Sequence, residues 1–186
     1  MNVFTFFRHV YLGHFSQPVA DRALYRALMK ATAASVVEMG VGNLGRTKRL
    51  LALAAEKTPL PELKYAGIDL FESRPQEQPG ISLKSAHKEL KALAGKVQLI
   101  PGDPFSALAR AANSLLRTDV VIVSADQDAA SLTKAWFYVP RMLHDNSRVF
   151  VEEAGQKPGE TKFRLLARLE LERLASDAAR TMRRAA

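Results

Sequence analysis

The sequence predicts an α/β protein: a doubly wound, mostly parallel sheet with a layer of helices on each face. Five short apolar runs with the length of strands alternate with segments whose apolar residues recur every three or four positions. Repeated strand–helix–strand units place parallel strands side by side through right-handed crossovers. A chain of 186 residues is long enough for one domain with a sizeable core.

The strands are predicted at residues 35–37, 65–69, 97–100, 120–123 and 148–151. Residues 120–123 are apolar throughout, so this strand is expected at the centre, with both faces buried. Residues 162–167 form either a short last strand, with a helix from about Glu170, or part of one long basic helix.

Helices are predicted around these strands, and proline or glycine marks several of their ends. The first begins after Ser16, with Pro18 in its first turn. The second ends before Pro59, and Pro140 should kink or end the helix that begins near residue 129. The other helices are expected at residues 82–94 and 105–116, and a loop at residues 72–80. We therefore expect an N-terminal helical segment (1–34), a core of alternating strands and helices (35–153) and a basic, mainly helical tail (154–186), all in one domain.

A glycine-rich turn follows the first strand. Gly40, Gly42 and Gly45 have the spacing G-x-G-x-x-G before a helix, an arrangement that brings backbone N–H groups close to a nucleotide-like ligand. The same pattern also occurs in plain tight turns. Glu38 precedes the first glycine by two residues. Dinucleotide sites usually keep that position apolar, whereas S-adenosylmethionine sites have an acid there, so the turn favours S-adenosylmethionine.

An acidic residue lies at or just beyond the end of every predicted strand. They are Glu38, Asp69, Asp103, Asp126 and Glu152. Ligands of open α/β sheets bind at the carboxyl ends of the strands, and five clustered carboxylates would repel one another without a ligand or cation. Asp69 is placed to accept the two ribose hydroxyls. Asp103 either accepts from an adenine amine or caps the following helix.

These motifs resemble those of class I S-adenosylmethionine-dependent methyltransferases over residues 35–153. Residues 38–42, 68–70 and 101–103 resemble the first three motifs. Residues 69–72 and 126–128 are similar to the D-x-F-E and D-x-D segments of the macrocin O-methyltransferase-like branch. The resemblance implies a Rossmann-like fold and the following cofactor-binding residues: Glu38, Gly40, Gly42, Asn43, Gly45, Asp69, Leu70, Gly102, Asp103 and Asp126.

The resemblance also implies catalytic and metal-binding residues. Asp126 and Asp128 are the candidate catalytic residues, and Asp126, Glu152 and Glu153 are the candidate ligands of a magnesium ion. Where relatives have a tyrosine after the D-x-D segment, this chain has Ala129. Because 33 residues follow Glu153, the strand pair that normally completes the sheet is expected to be shortened or absent.

Composition limits the classes of function. The chain has no cysteine, which excludes disulfides, thiolate metal sites and a cysteine nucleophile. No apolar run is long enough to span a bilayer, so a cytoplasmic protein without a membrane partner is expected. The net charge of +8 is concentrated at the termini and on the helix after the glycine turn, which leaves a nucleic-acid partner open, as it does a homodimer.

The predicted function is methyl transfer to a small-molecule acceptor. Two alternatives stay open at this point: an NAD-dependent oxidoreductase, which shares the glycine turn and Asp69, and a non-catalytic Rossmann-like binding or assembly module. The aromatic segment at residues 1–15 either covers the acceptor site or packs against the sheet or a second subunit.

Overall fold

A computed structural model describes residues 3–75, 80–155, 157 and 159–184. A six-stranded sheet has the order β3-β2-β1-β4-β5-β6, in which every neighbouring pair is parallel except the antiparallel pair β5 and β6. The strands are β1 Ser35–Met39, β2 Lys64–Asp69, β3 Lys96–Pro101, β4 Thr118–Val123, β5 Leu143–Ala154 and β6 Thr161–Leu165. The predicted α/β class and mostly parallel sheet are confirmed.

The longer helices follow the predicted alternation with the strands. They are α1 Val3–Val10, α2 Arg22–Lys30, α3 Gly45–Ala54, α4 Leu83–Leu90, α5 Pro104–Ala111, α6 Ala129–Ala135, α7 Val139–Met142 and α8 Arg168–Arg184. A π-helical turn, Tyr11–Phe15, continues α1. The predicted helix is divided into α6 and α7, and Pro140 lies in the first turn of α7, where its missing N–H costs no helical hydrogen bond. Part of the predicted loop 72–80, residues 76–79, lies outside the described residues.

Helices cover both faces of the sheet. Because successive residues of a strand point to opposite faces, β4 contributes side chains to the apolar cluster on each face. Val120 and Ile122 of β4 pack in the cluster that includes apolar residues of α2, α3 and α4. Val121 and Val123 pack in the opposite cluster, with residues of α5, α6, α7 and α8. All four side chains are at most 1% exposed, so β4 has the two buried faces that its apolar sequence predicted.

The C-terminal region resolves the ambiguity left by the sequence. Residues 161–165 form a strand and the helix begins at Arg168, as in the first of the two readings. In the described part of the chain, one antiparallel strand stands where the resemblance implied a pair. β5 is longer than the predicted 148–151 at both ends: it pairs with β4 from Leu143, and its C-terminal part pairs with β6 from Phe150 to Ala154. No helix in the described ranges is both long and apolar enough to cross a membrane.

Candidate functional site

The glycine turn has the backbone conformation that its sequence predicted. Gly40 has φ of 90° and Gly42 has φ of 59°, which favour glycine. A Cβ on Gly40 would lie within 2.8 Å of side-chain atoms of Ser124, Asp126 and Gln127, whereas a Cβ on Gly42 would meet nothing within 4 Å. The turn is therefore closed on one side by the loop after β4 and open on the other.

An open cleft of about 430 Å³ lies over this turn. It is at the carboxyl ends of β1, β4 and β5, next to the point where the strand order reverses, the usual place for a ligand in such sheets. Six of the predicted site residues line it: Gly40, Gly42, Asn43, Gly45, Asp126 and Glu152.

Arg46, in the first turn of α3, forms the floor of the cleft. Its Nε donates to Glu38 Oε1 at 2.7 Å, and its Nη2 donates to the carbonyl of Gly40 at 2.8 Å and to the Ser124 hydroxyl. Its Nη1 lies 3.8 Å from carboxylate oxygens of both Asp21 and Glu152. The sequence analysis did not identify Arg46 as a site residue, because its partners come from four separate segments of the chain.

Glu38 lies beneath this floor rather than in the cleft. Its side chain is fully buried, and its second oxygen accepts hydrogen bonds from the hydroxyls of Thr47 at 2.6 Å and Tyr65 at 2.8 Å. Burial, together with the charge of Glu38, raises the pKa of Tyr65 well above its ordinary value. Glu38 thus positions Arg46 and does not face a ligand directly in this structure.

Asp21 is a cleft residue that the sequence analysis missed. It is 2% exposed, accepts a hydrogen bond from Tyr25 at 3.2 Å and lines the cleft. Burial raises the pKa of its carboxyl, although the nearby charge of Arg46 opposes this shift. The sequence did contain one indication of this role, since Asp21 is the sole acidic residue among residues 1–37, which are otherwise basic.

The cleft and its floor have an excess of negative charge. The carboxylates of Asp21, Glu152 and Asp126 line it and Glu38 lies beneath it. The guanidinium groups of Arg46 and Arg49 oppose them, and Arg74, which pairs with Asp69, also lies 3.2 Å from Asp126. When Asp69 and Arg74 are included, five carboxylates stand against three guanidinium groups, and this excess of two favours a positively charged ligand group.

Asp69 is tied to the glycine turn and does not line the cleft. Its Oδ2 accepts the backbone N–H groups of Val41 at 2.8 Å and Gly42 at 3.1 Å. Its Oδ1 accepts the N–H of Phe71 at 3.0 Å. Arg74 then adds one hydrogen bond of 2.6 Å to each oxygen. Although burial would raise the pKa of Asp69, these five bonds outweigh it and lower the pKa.

Two other predicted acids cap helices. Asp103 accepts the N–H groups of Phe105 and Ser106 at 3.1 Å, at the start of α5, and the hydroxyl of Ser131. Burial opposes the shift, but these hydrogen bonds lower the pKa of Asp103 to about 2. Asp128 accepts the N–H of Ser131 at 2.6 Å and caps α6. The capping alternative for Asp103 is therefore present, whereas its contact with an adenine amine stays a prediction.

The remaining predicted cofactor residues lie in the glycine turn and at the ends of β2 and β3. Asn43 Oδ1 accepts the N–H of Gly45 at 3.0 Å within the turn. Gly102, with φ of 130°, donates its N–H to the carbonyl of Asp69 at 2.9 Å, so it lies at the neighbouring end of β3. Leu70 directly follows Asp69 at the end of β2. The predicted site thus has two halves: the cleft over β1, β4 and β5, and the edge formed by β2 and β3.

The candidate magnesium ligands do not converge. Glu152 accepts from the Thr161 hydroxyl at 2.6 Å, while Glu153 accepts from Arg164 at 2.9 Å. Successive residues of a strand point to opposite faces, so these two glutamates diverge. Within the described residues, no three acidic or histidine side chains are grouped closely enough to hold a metal ion. The magnesium prediction, which paired both glutamates with Asp126, therefore gains no support from the structure.

Comparison with known protein families finds no matching family, and comparison with curated proteins finds no similar sequence. Solved structures do match. A TehB-like S-adenosylmethionine-dependent methyltransferase from Corynebacterium glutamicum has a TM-score of 0.51 at 13% identity, over 94% of this chain and 80% of its own. The calicheamicin methyltransferase CalS11 has a TM-score of 0.52 at 20% identity, over 81% of this chain and 77% of its own.

A third match is precorrin 8W decarboxylase from Methanobacterium thermoautotrophicum, with a TM-score of 0.50 at 19% identity over 76% of this chain. The chain spans 66% of the length of that protein. At these identities the matches show the fold alone, a Rossmann-like fold that this chain shares with these methyltransferases. None of the three singles out the macrocin O-methyltransferase-like branch.

Proposed function

We propose that the protein is an S-adenosylmethionine-dependent methyltransferase that acts on a small-molecule acceptor. The observation that carries this proposal is the charge of the cleft, in which carboxylates outnumber guanidinium groups by two at the β1–β4 switch point. S-adenosylmethionine carries a sulfonium and an ammonium group, which suit such a cleft. The shared fold of the solved methyltransferases supports the same reading.

Several groups in the cleft suit the cofactor. The carbonyl of Gly40 and the hydroxyl of Ser124 are acceptors for an ammonium group, and both are bonded to Arg46 in this structure. Gly42 leaves open space above the turn for a ligand. Asp69 would take the ribose hydroxyls once Arg74 moves away. When bound, S-adenosylmethionine supplies an electrophilic methyl group whose leaving group is a neutral thioether.

The protein's own contribution would be to orient the acceptor, exclude water and accept a proton. Three carboxylates line the cleft for this last role: Asp21, Asp126 and Glu152. Asp21 is the most suitable proton acceptor, because burial raises its pKa and makes it a stronger base. Asp128 is bonded to the first turn of α6, so it is a weaker candidate than its sequence motif suggested.

The same charges argue against an NAD-dependent oxidoreductase. A dinucleotide places an anionic pyrophosphate over the glycine turn, where donors are required. Here the N–H groups of Val41 and Gly42 donate to Asp69, and the N–H of Gly45 donates to Asn43. A diphosphate would thus meet carboxylates and N–H groups that already have acceptors.

A non-catalytic binding module is the second candidate function, and one observation favours it. Arg46 fills the floor of the cleft and Arg74 caps Asp69, so two guanidinium groups occupy acceptors that a cofactor would use. The two functions differ in whether the cofactor displaces these arginines and whether a methyl group is then transferred.

Isothermal titration calorimetry with S-adenosylmethionine, S-adenosylhomocysteine and NAD tests the proposal. We expect the first two to bind and NAD not to bind. Glu152→Gln should weaken S-adenosylmethionine about tenfold, because it removes one negative charge from the cleft. Glu153→Gln is the matched control and should leave affinity unchanged, since Glu153 pairs with Arg164 on the other face.

Activity is tested separately by release of S-adenosylhomocysteine in the presence of a panel of small phenols, sugars and amines. Binding without release for any acceptor would favour the non-catalytic module. Tighter binding of NAD than of S-adenosylmethionine would contradict the proposal outright. The macrocin O-methyltransferase-like assignment, based on residues 69–72 and 126–128, is tested by including sugar hydroxyls in the panel.

A further inference from the structure

Exposed apolar side chains are concentrated at one end of the described chain. Of the eleven large apolar residues exposed there, seven lie within residues 3–19. They are Val3, Phe4, Phe6, Phe7, Tyr11, Phe15 and Val19. A single exposed apolar residue needs no explanation, but a contiguous group of this size marks an interaction surface.

Three of these residues form a line, here called the aromatic stripe: Phe7, Tyr11 and Phe15, which are 65%, 52% and 66% exposed. They are four residues apart on α1 and its π-helical continuation, so they share one side of this helix. Leu12 and Gly13, on the other side, are buried. The stripe therefore lies opposite the packed residues of the π-helical turn, while no residue of α1 itself is buried.

Contacts hold the helix in this orientation. Arg8 donates to the carbonyl of Ala52 at 3.3 Å and pairs with Glu56, both in or just after α3. His9 Nε2 lies 2.7 Å from the second oxygen of Glu56. Because these bonds fix the helix against the body of the protein, the stripe is presented to the outside as a rigid surface.

Arginines lie near the C-terminal end of the stripe. Arg26 donates to the carbonyl of Gly13 at 2.7 Å, on the packed side of the helix, and Arg49, which also lines the cleft, donates to the carbonyl of Gln17 at 2.6 Å, two residues after Phe15. Arg8, next to Phe7 in the chain, pairs with Glu56, the one carboxylate in the described ion pairs of these arginines. The segment thus combines an apolar ridge with three nearby arginines, of which one is paired with a carboxylate.

We propose that residues 3–15 bind the surface of a bilayer that contains anionic lipids, with the aromatic stripe among the headgroups and the arginines near the phosphates. A convex apolar ridge with cationic flanks is the surface by which an amphipathic helix lies in a membrane interface. A second copy fits less well, because a symmetric contact would place the arginines of one copy near those of the other.

Sedimentation with vesicles tests this proposal on the full chain. The protein should sediment with vesicles of phosphatidylcholine mixed with phosphatidylglycerol, but not with phosphatidylcholine alone. The bound fraction should fall when salt is raised from about 0.1 M to about 1 M, which shortens the screening length from about 10 Å to about 3 Å. Phe7→Ser with Phe15→Ser should weaken the partition at least about tenfold.

A matched pair of substitutions controls for the loss of exposed apolar surface. Leu116→Ser with Leu169→Ser removes two side chains that are 57% and 65% exposed but lie elsewhere, and it should leave vesicle binding unchanged. Circular dichroism should show the same fold for both double variants as for the unchanged protein. Equal binding by the two double variants would overturn the proposal.

Two other results would also overturn it. One is failure of the unchanged protein to bind the anionic vesicles. The other combines two observations: the unchanged protein does not bind vesicles, and light scattering shows that it is a dimer which the Phe7→Ser, Phe15→Ser double substitution converts to a monomer. The stripe would then be a contact between copies. Binding to an acidic polypeptide but not to vesicles would assign the surface to a protein partner instead.

Discussion

The guanidinium group of Arg74 makes two parallel hydrogen bonds of 2.6 Å to the carboxylate of Asp69. Its third nitrogen donates to Asp126 at 3.2 Å. Bidentate pairs of this kind are among the stronger hydrogen bonds in proteins, and the Arg74 side chain is 9% exposed. An arginine therefore bridges two acids, from the ends of β2 and β4, that the sequence assigns to a ligand.

The first prediction concerns cofactor affinity. Arg74→Ala should tighten S-adenosylhomocysteine binding about fivefold, because a ribose would no longer compete with a partly buried ion pair worth about 1 kcal/mol. Arg74→Lys should have a smaller effect, since lysine keeps the charge but lacks the planar fork. Calorimetry measures both affinities.

Arg168→Ala is the control for that measurement, because Arg168 pairs with the exposed Asp145 away from the cleft. Equal affinity in the Arg74→Ala variant and the unchanged protein would show that Arg74 does not compete. Weaker affinity would show that Arg74 contributes to binding. Binding by neither protein would count against the proposed function instead.

The second prediction separates two glycines of the turn. Gly42→Ala should cost about 1 kcal/mol of unfolding free energy, for backbone strain at φ of 59°, but should weaken cofactor binding strongly, because the new Cβ projects into open space at the cleft. In Gly40→Ala the new Cβ would lie within 2.8 Å of side-chain atoms of the loop after β4, in addition to the strain at φ of 90°. This substitution should therefore lower the free energy of unfolding more than Gly42→Ala does. Urea unfolding and calorimetry measure the two effects. Normal cofactor affinity in Gly42→Ala would place the ligand elsewhere.

The third prediction concerns the buried ion pair beneath the cleft. Removing one partner of a buried pair typically costs about 3–5 kcal/mol. Glu38→Gln should cost less, about 2 kcal/mol, because Asp21 and Glu152 stay within 3.8 Å of Arg46. Glu153→Gln removes a half-exposed partner of Arg164 and should cost less than about 1 kcal/mol. Equal losses in urea unfolding would show that the burial of Glu38 contributes nothing.

The fourth prediction is a pH dependence at Asp21. Because burial raises the pKa of Asp21 in the folded state, the folded protein keeps this proton to higher pH than the unfolded chain does. The contribution of Asp21 to stability therefore decreases as pH rises above 3.8, the ordinary value, through the raised pKa of Asp21. Asp21→Asn should raise the melting temperature at pH 7, and the gain should shrink as pH approaches 3.8.

Asp145→Asn serves as the control for the pH measurement, since the Asp145 side chain is 92% exposed. Its melting temperature should follow that of the unchanged protein across the same pH range. A gain for Asp21→Asn that is constant with pH would mean that ionisation of Asp21 is not its cause.

Local sequence signals account for much of the fold. The four strands β1 to β4 lie close to their predicted positions, because buried strands carry apolar runs and their ends carry glycine, proline or acids. The C-terminal end of β5 extends beyond its predicted bound, since its partner β6 is a later segment whose pattern also fits a helix. Pairing, rather than local composition, decided that region.

The sequence by itself determined the positions of most strands, the glycine turn and the acids at the strand ends, because each depends on residues that are neighbours along the chain. The tertiary structure alone decided what those acids contact. Arg46 lies in the cleft, and Arg74 pairs with Asp69. Asp21, just before α2, also lines the cleft. Glu152 lines the cleft as well, whereas Glu153 points away from it and pairs with Arg164. The partners of a long side chain depend on which charged groups lie close to it in the folded protein, and a local sequence pattern does not contain that information.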